Sequence, residues 1–464
     1  MIQTLINVFK IKELRNRVLF TMSMLVVFRI GHWIPIPGVN QDALAEVVKN
    51  SREGGTALAR VADFVSMFSG GALAHSTLFG LGIMPYITAG IIFQLLGTTL
   101  PQLKRLQEEG PTGRVKIMEW TRYATIALCI VQAIGYMSFL RSQNLIYPHA
   151  ANNPMWWVMA ITAVTAGTMF LMWLGEQIDK HGIGNGVSLI IMAGILGGAP
   201  NAVNWIVNNF EPGDANKMGW MGVIVIAASF FGVVLAAVLM TVAQRRIPIQ
   251  QAKHTRGRKV FGGQRSYLPL RVNHGGVMPI IFASSLMIFP TLLFEQAHTI
   301  IDNRVGQGVL WGISNFFKSS FDPGGYLYVI LMIIMVYFFS YFWITVQFNP
   351  EEMSKQLKES GSFVPGLRPG PRTAEYLETV MGRITFVGAG FLALIAVLPT
   401  VLGKALNVDF AVSQFLGGTG LLIVVSVVID FLQRVEANLL MRNYSGFLGG
   451  GGDDARGPRM RGRS

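Results

Sequence analysis

Ten stretches of 18 or more mainly apolar residues run along the chain. They lie at about 18–36, 82–100, 120–140, 155–175, 186–207, 219–243, 275–294, 326–347, 380–402 and 412–432. Each is long enough to cross a hydrocarbon core about 30 Å thick as a helix. Inside lipid a backbone must satisfy its own hydrogen bonds, so runs of this kind have little choice but a bundle of helices. Only 14% of the 464 residues are charged, against about 25% in a soluble domain. No interval between the runs holds a separate soluble domain of ordinary size. The expected fold class is an all-α polytopic membrane protein with ten transmembrane helices. Lys10, Lys12, Arg15 and Arg17 precede the first run, and no small-residue cleavage site closes it, so the first span is expected to be retained. A single cysteine, Cys129, allows no intrachain disulfide.

Charge orients the bundle. Lys and Arg collect on cytoplasmic loops. They cluster at the start of the chain, at Lys104, Arg105, Arg114 and Lys116, and at Arg245, Arg246, Lys253, Arg256, Arg258, Lys259, Arg265 and Arg271. They cluster again at Lys355, Lys358, Arg368 and Arg372, and in the tail at Arg456, Arg459, Arg461 and Arg463. If ten spans alternate, all these groups fall on one side and both termini are cytoplasmic. A miscounted span would scatter them. The sequon Asn443-Tyr444-Ser445 then lies on the cytoplasmic side, where it is not glycosylated.

The chain repeats itself. Gly82-Ile83-Met84-Pro85-Tyr86-Ile87 has a near-copy 194 residues later, Gly276-Val277-Met278-Pro279-Ile280-Ile281. The copies open the second and the seventh span, the same place in each set of five. An odd number of spans per half makes the second half enter from the opposite side, so the halves are expected to be inverted repeats with a pathway between them. The expected division is 1–210 for the N-terminal half, 211–448 for the C-terminal half and 449–464 for a disordered, glycine- and arginine-rich tail.

Three connecting segments stand out. Residues 63–80 are apolar but carry Gly70-Gly71 and several hydroxyls, and they are too short and polar to span a bilayer. They read either as a re-entrant half-helix beside a water-filled cavity or as an amphipathic segment on the outer membrane surface. The loop 244–274 contains no acidic residue. Val260-Phe261, Gly262-Gly263 and Tyr267-Leu268 with Leu270 suggest two short strands around a glycine turn. Its basic residues suit an anionic partner such as ribosomal RNA, or simply the charge bias of a cytoplasmic loop and anionic lipids. The loop 348–380 opens Asn349-Pro350-Glu351-Glu352, a helix start, expected to end near Gly361 before the stiff stretch Pro365, Pro369, Gly370 and Pro371.

Catalytic chemistry is missing. Gly182-Ile183-Gly184-Asn185-Gly186 follows a membrane helix and lacks the lysine of a phosphate loop. The seven histidines show no metal-ligand spacing, so no enzyme activity, metal or cofactor is expected. Arg29 and Asp430 are the ionisable residues noted inside spans, and both read as interface anchors that snorkel to the membrane surface. Uncharged polar groups, Gln94, Gln132, Ser284 and Ser285, suit helix-to-helix hydrogen bonds worth about 0.6–2 kcal/mol, or ordinary packing.

The segments Phe68-Ser69-Gly70-Gly71-Ala72-Leu73, Leu81 to Ile87, Gly182 to Gly186, Gly276 to Ser285 and Phe363 to Gly370 resemble the SecY family of bacterial protein-conducting channels, over about residues 10–448. The resemblance implies a clamshell of two inverted five-helix halves around an hourglass pore. It places a pore ring at Ile83, Ile87, Ile191, Ile195, Ile281 and Ile423. It places a plug within 63–80, at Phe64, Met67, Phe68, Ser69, Gly70, Gly71, Ala72 and Leu73. It places a lateral gate between the second and third spans on one half and the seventh and eighth on the other, lined by Thr88, Gln94, Gln132, Ser284, Ser285 and Phe289. Arg256, Arg258, Lys259 and Arg368 become docking residues for a ribosome, through its RNA and proteins, or a SecA-type motor ATPase. SecE-type and SecG-type small subunits, signal sequences, nascent chains and membrane lipids complete the implied partners, in a bacterial plasma membrane. The implied function is passage of unfolded secretory polypeptide and sideways release of membrane helices. The competing class, an inverted-repeat secondary transporter, calls for ion-coordinating groups at mid-membrane, which are scarce here.

Overall fold

The computed structural model describes residues 11–53, 76–211, 219–251, 254–256, 259–261, 265–305, 308–321, 325–405 and 418–448. The chain is mainly helical. In the first half the helices are α1 (Lys12–Gly31), α2 (Gln41–Glu53), α3 (Met84–Thr99), α4 (Pro101–Glu108), α5 (Pro111–Ser142), α6 (Pro148–Ala151), α7 (Pro154–His181), α8 (Gly186–Gly197) and α9 (Ala199–Asn208). In the second they are α10 (Trp220–Val242), α11 (Met278–Val305), α12 (Val309–Phe321), α13 (Tyr326–Gln347), α14 (Pro350–Glu359), α15 (Pro371–Ala405) and α16 (Thr419–Leu448). Each predicted span overlaps at least one of these. Among the described residues, six helical stretches are long and apolar enough to cross a membrane.

Two spans differ from their hydropathy. The first helix stops at Gly31 rather than near 36, because Pro35 and Pro37 cannot continue a helix and disfavour it at the residues before them. The freed strand-like segment bridges Pro35 to Thr77 and Val39 to Ile146. The fifth run is two helices, divided at Gly198, with Pro200 in the first turn of α9.

The two Gly-x-Met-Pro copies share one local conformation. Gly82 has φ 58° and Gly276 φ 60°. Both lie in the left-handed region that glycine enters without a Cβ penalty. Each is followed by a helix that begins at the methionine, with proline in the first turn, where its missing N–H costs nothing.

Five strands form a platform between the helices of the second half. They are β1 (Gln244–Gln251), β2 (His254–Arg256), β3 (Lys259–Phe261), β4 (Arg265–Arg271) and β5 (Ser362–Phe363). β1 is central: it pairs antiparallel with β4, from Gln244↔Arg271 to Gln250↔Arg265, and with β5 through Gln250↔Phe363. β2 and β3 pair separately, His254 with Phe261 and Arg256 with Lys259. This corrects the predicted turn: Val260 and Phe261 pair back toward Thr255 and His254, while Tyr267 and Leu268 pair with Pro248 and Ile247. The register follows burial, since Ile247 and Leu270 face an apolar cluster with Leu377, Val380, Met381 and Ile384 of α15, and Ile249 is buried two residues along β1. The same strand thereby joins the two long connecting loops into one unit.

Small residues set helix separation. A Cβ on Gly186 would fall 2.0 Å from the Gly175 carbonyl oxygen, so α8 touches α7 backbone to backbone, as small residues permit in membrane bundles. Around Gly276 nothing lies within 4 Å of the corresponding position. Gly276→Ala is therefore expected to cost about 1 kcal/mol, from the left-handed φ alone. Gly186→Ala is expected to cost about 2–3 kcal/mol, because it overpacks backbone against backbone. Thermal unfolding of the purified variants in detergent ranks the two.

Candidate conducting pathway

The six predicted ring positions come from four separate places in the chain. Ile83 immediately precedes α3 and Ile87 lies on it, Ile191 and Ile195 lie on α8, Ile281 on α11 and Ile423 on α16. All six are buried, Ile87 being the most exposed at 9%, and all six belong to one apolar cluster. The cluster joins both halves. It also includes Phe28, Phe79, Leu171, Leu174, Ile178, Leu189, Ile190 and Val427, which the sequence did not single out. Phe79 stacks on Phe28 at 6.4 Å and on Phe170 at 6.1 Å. A Cβ on Gly31 would strike its ring, so the end of α1 is cut small to seat it. Nothing local distinguishes these residues from ordinary apolar span residues; only their convergence does.

A cavity of about 210 Å³ opens beside this cluster. Leu189, Val277 and Val427 form its apolar floor and belong to the cluster or pack against it. Its walls are polar, with Asn185, Ser188, Asn273 and Ser426 among them. Two fixed contacts shape the rim. Arg434 Nε donates to Asp430 Oδ2 at 2.8 Å, and Arg271 Nη2 donates to Gln433 Oε1 at 3.0 Å. Asp430 is thus ion-paired within α16 and lines the cavity. Arg29 is exposed in the last turn of α1. A Cβ on Gly197 would lie 2.5 Å from its Nη1, so the guanidinium sits over the C-terminal turn of α8, where unpaired carbonyls favour a cation. The loop residues that build the mouth need unusual backbone: Gly184 has φ 104° and Gly276 φ 60°, and Asn273 Nδ2 donates to the Gly276 carbonyl at 2.8 Å.

The predicted seam residues separate into three groups. Thr88 spends its hydroxyl within α3, donating to the Met84 carbonyl at 2.9 Å. Gln94 on α3 and Gln132 on α5 are half-buried, and Ser284 on α11 is 8% exposed. The side chains of Ser285 and Phe289 lie outside the described residues. So do Phe64, Met67, Phe68, Ser69, Gly70, Gly71, Ala72 and Leu73, all of Arg258, and the side chains of Arg256 and Lys259. What is described of 63–80 is its end. Ser76, fully buried with φ 43°, shares a 2.5 Å hydrogen bond with the Tyr136 hydroxyl of α5. Arg368 is exposed in the loop between β5 and α15, its carbonyl accepting from the Thr373 hydroxyl at 2.9 Å.

One ionised pair inside the bundle escaped the hydropathy reading. Arg122 of α5 and Glu176 of α7 meet in a two-pronged contact, Nε to Oε1 at 2.9 Å and Nη2 to Oε2 at 2.7 Å. Among the described residues no cluster of His, Cys, Asp and Glu could hold a metal ion.

The SecY family model matches residues 77–432. The protein translocase subunit SecY of Chlamydia trachomatis is 41% identical over 462 residues, covering 96% of this chain and 98% of that one. The chain belongs to the SecY family. The Escherichia coli K12 relative of the same description is 40% identical over 442 residues, covering 94% of each. Among solved structures, a protein-conducting channel superposes with a TM-score of 0.58 at 20% identity, covering 93% of each chain. Sec61 of the canine ribosome-channel complex does so with 0.55 at 18%. Those two likenesses show the fold. Family membership makes the chain a channel component rather than an enzyme, and it disfavours a secondary transporter.

His274 links β4 to α11 beside the mouth. Its ring meets Phe348 edge-on at 6.0 Å, and its Nδ1 is buried without a hydrogen-bond partner. Burial, and secondarily the Arg271 guanidinium, hold its pKa below the ordinary 6.5. Between the folded value and the unfolded one of about 6.5, the unfolded chain binds the extra proton, so stability rises with pH across that window. Acidification below about pH 6.5 is expected to lower the unfolding temperature in detergent. His274→Leu is expected to flatten that dependence.

Proposed function

We propose that the chain is the channel-forming subunit of a protein translocase in a bacterial plasma membrane, with both termini cytoplasmic. It passes unfolded polypeptide through the waist formed by Ile83, Ile87, Ile191, Ile195, Ile281 and Ile423, and releases membrane helices between α3 and α5 on one side and α11 and α13 on the other. The observation that carries this reading is the convergence of six isoleucines from both halves in one buried cluster beneath a polar mouth. An apolar constriction has no fixed hydrogen-bonding preference. It therefore accepts chains of any sequence, and it resists water and ions when closed. Residues 63–80 act as the plug.

The chain carries no phosphate-binding loop, so the drive comes from outside. Arg256, Arg258, Lys259 and Arg368 meet a SecA-type motor ATPase or the ribosome, on a platform where strand pairing unites both loops. SecE-type and SecG-type subunits flank the two halves.

The test is reconstitution of the protein with its small subunits in liposomes, with motor ATPase and a secretory precursor added. Protease-protected precursor is the expected result, and its absence with a competent motor sinks the reading. Arg368→Glu is expected to lower motor-driven transport by about tenfold or more while leaving the protein membrane-inserted. Replacing Ile191 and Ile195 together with serine is expected to let water wet the waist and raise ion leakage, read as dissipation of an imposed potential.

A further inference from the structure

We infer that Arg122 and Glu176 are a positioning pair. They make α5 and α7 one mechanical unit, so that displacement of α5 at the lateral gate is carried through α7 to the isoleucine cluster. The inference rests on the channel reading above.

α5 and α7 run antiparallel and in contact. At one end Ala133, Met137 and Leu140 of α5 share a buried cluster with Trp156, Ala160 and Val164 of α7. Toward the other end the buried face of α5 is small or polar: Thr125 and Cys129 are fully buried, and Thr121 nearly so. Small side chains let helices approach closely but provide no directional hold against sliding. The hold is supplied at Arg122. Its planar fork matches the carboxylate in two parallel bonds, the geometry that adds direction as well as strength. The Arg122 side chain is 37% exposed and that of Glu176 15%. The pair is therefore half-desolvated, and neither partner is easily left alone.

The position of the pair gives it leverage. α5 carries Gln132 at the proposed gate and binds the end of the 63–80 segment through Tyr136. α7 supplies Leu171, Leu174 and Ile178 to the cluster that holds all six ring isoleucines. One fastener thus stands between the helix that a signal sequence would push and the helix that backs the waist.

The experiment uses the complete channel complex in lipid nanodiscs and in liposomes, with Cys129→Ala as background. Spin labels are placed at Met118→Cys and Lys180→Cys, both exposed and about one turn from the pair. The expected result is a label distance that stays the same when a signal-bearing precursor engages. A distance that changes on engagement in this otherwise unaltered channel overturns the inference. Arg122→Gln and Glu176→Gln are expected to broaden the distance distribution. They are also expected to slow precursor export by about tenfold, equivalent to about 1.4 kcal/mol, while cross-linking of the signal sequence to α5 persists. The charge swap Arg122→Glu with Glu176→Arg is expected to restore both readouts. Single variants that export at the parent rate, or a well-folded swap that restores neither readout, sink the pair's role. Failure of the parent itself to export sinks the channel reading instead.

Discussion

A backbone in hydrocarbon has no water to bond, and this constraint orders the whole molecule. Regular helix satisfies it wherever the chain faces lipid. Irregular backbone survives only where protein or a cavity supplies partners. Gly82, Gly184 and Gly276, all with left-handed φ, stand beside the isoleucine cluster or line the polar cavity next to it.

The two halves meet through apolar side chains. Isoleucines from α3 and α8 pack with those from α11 and α16. Such contact is close but not directional, so the halves can separate without leaving buried donors or acceptors unpaired. Directional contacts lie elsewhere: Arg122 with Glu176 within the first half, β1 with β4 and β5 within the platform. Rigid parts held by hydrogen bonds and charge, joined by an apolar seam, are what a channel that opens around a passing chain requires.

Much of this was legible along the chain, and the failures have physical causes. Hydropathy located the long apolar helices, but the first run kept its apolar character through Trp33 and Ile34 while the helix ended at Gly31, ahead of Pro35. The glycine pair at 262–263 looked like the hairpin turn. The alternating burial of Ile247, Ile249 and Leu270 set a different register, because pairing partners depend on which face meets α15. Arg122 lay within a predicted span, yet its charge had no visible counterpart: Glu176 is far along the chain and pairs only once α5 and α7 lie side by side. Phe79, Leu171 and Leu174 carried no mark at all.

Local physics, then, was enough to determine the class of fold, the long apolar helices and the repeated Gly-x-Met-Pro turn. Each depends on residues near one another in sequence and on the fixed properties of lipid and water. Which isoleucines share a cluster, which loops unite in a sheet, and which arginine finds its carboxylate were decided only by tertiary packing. These are relations between segments brought together by folding, and no property of either segment alone encodes the meeting.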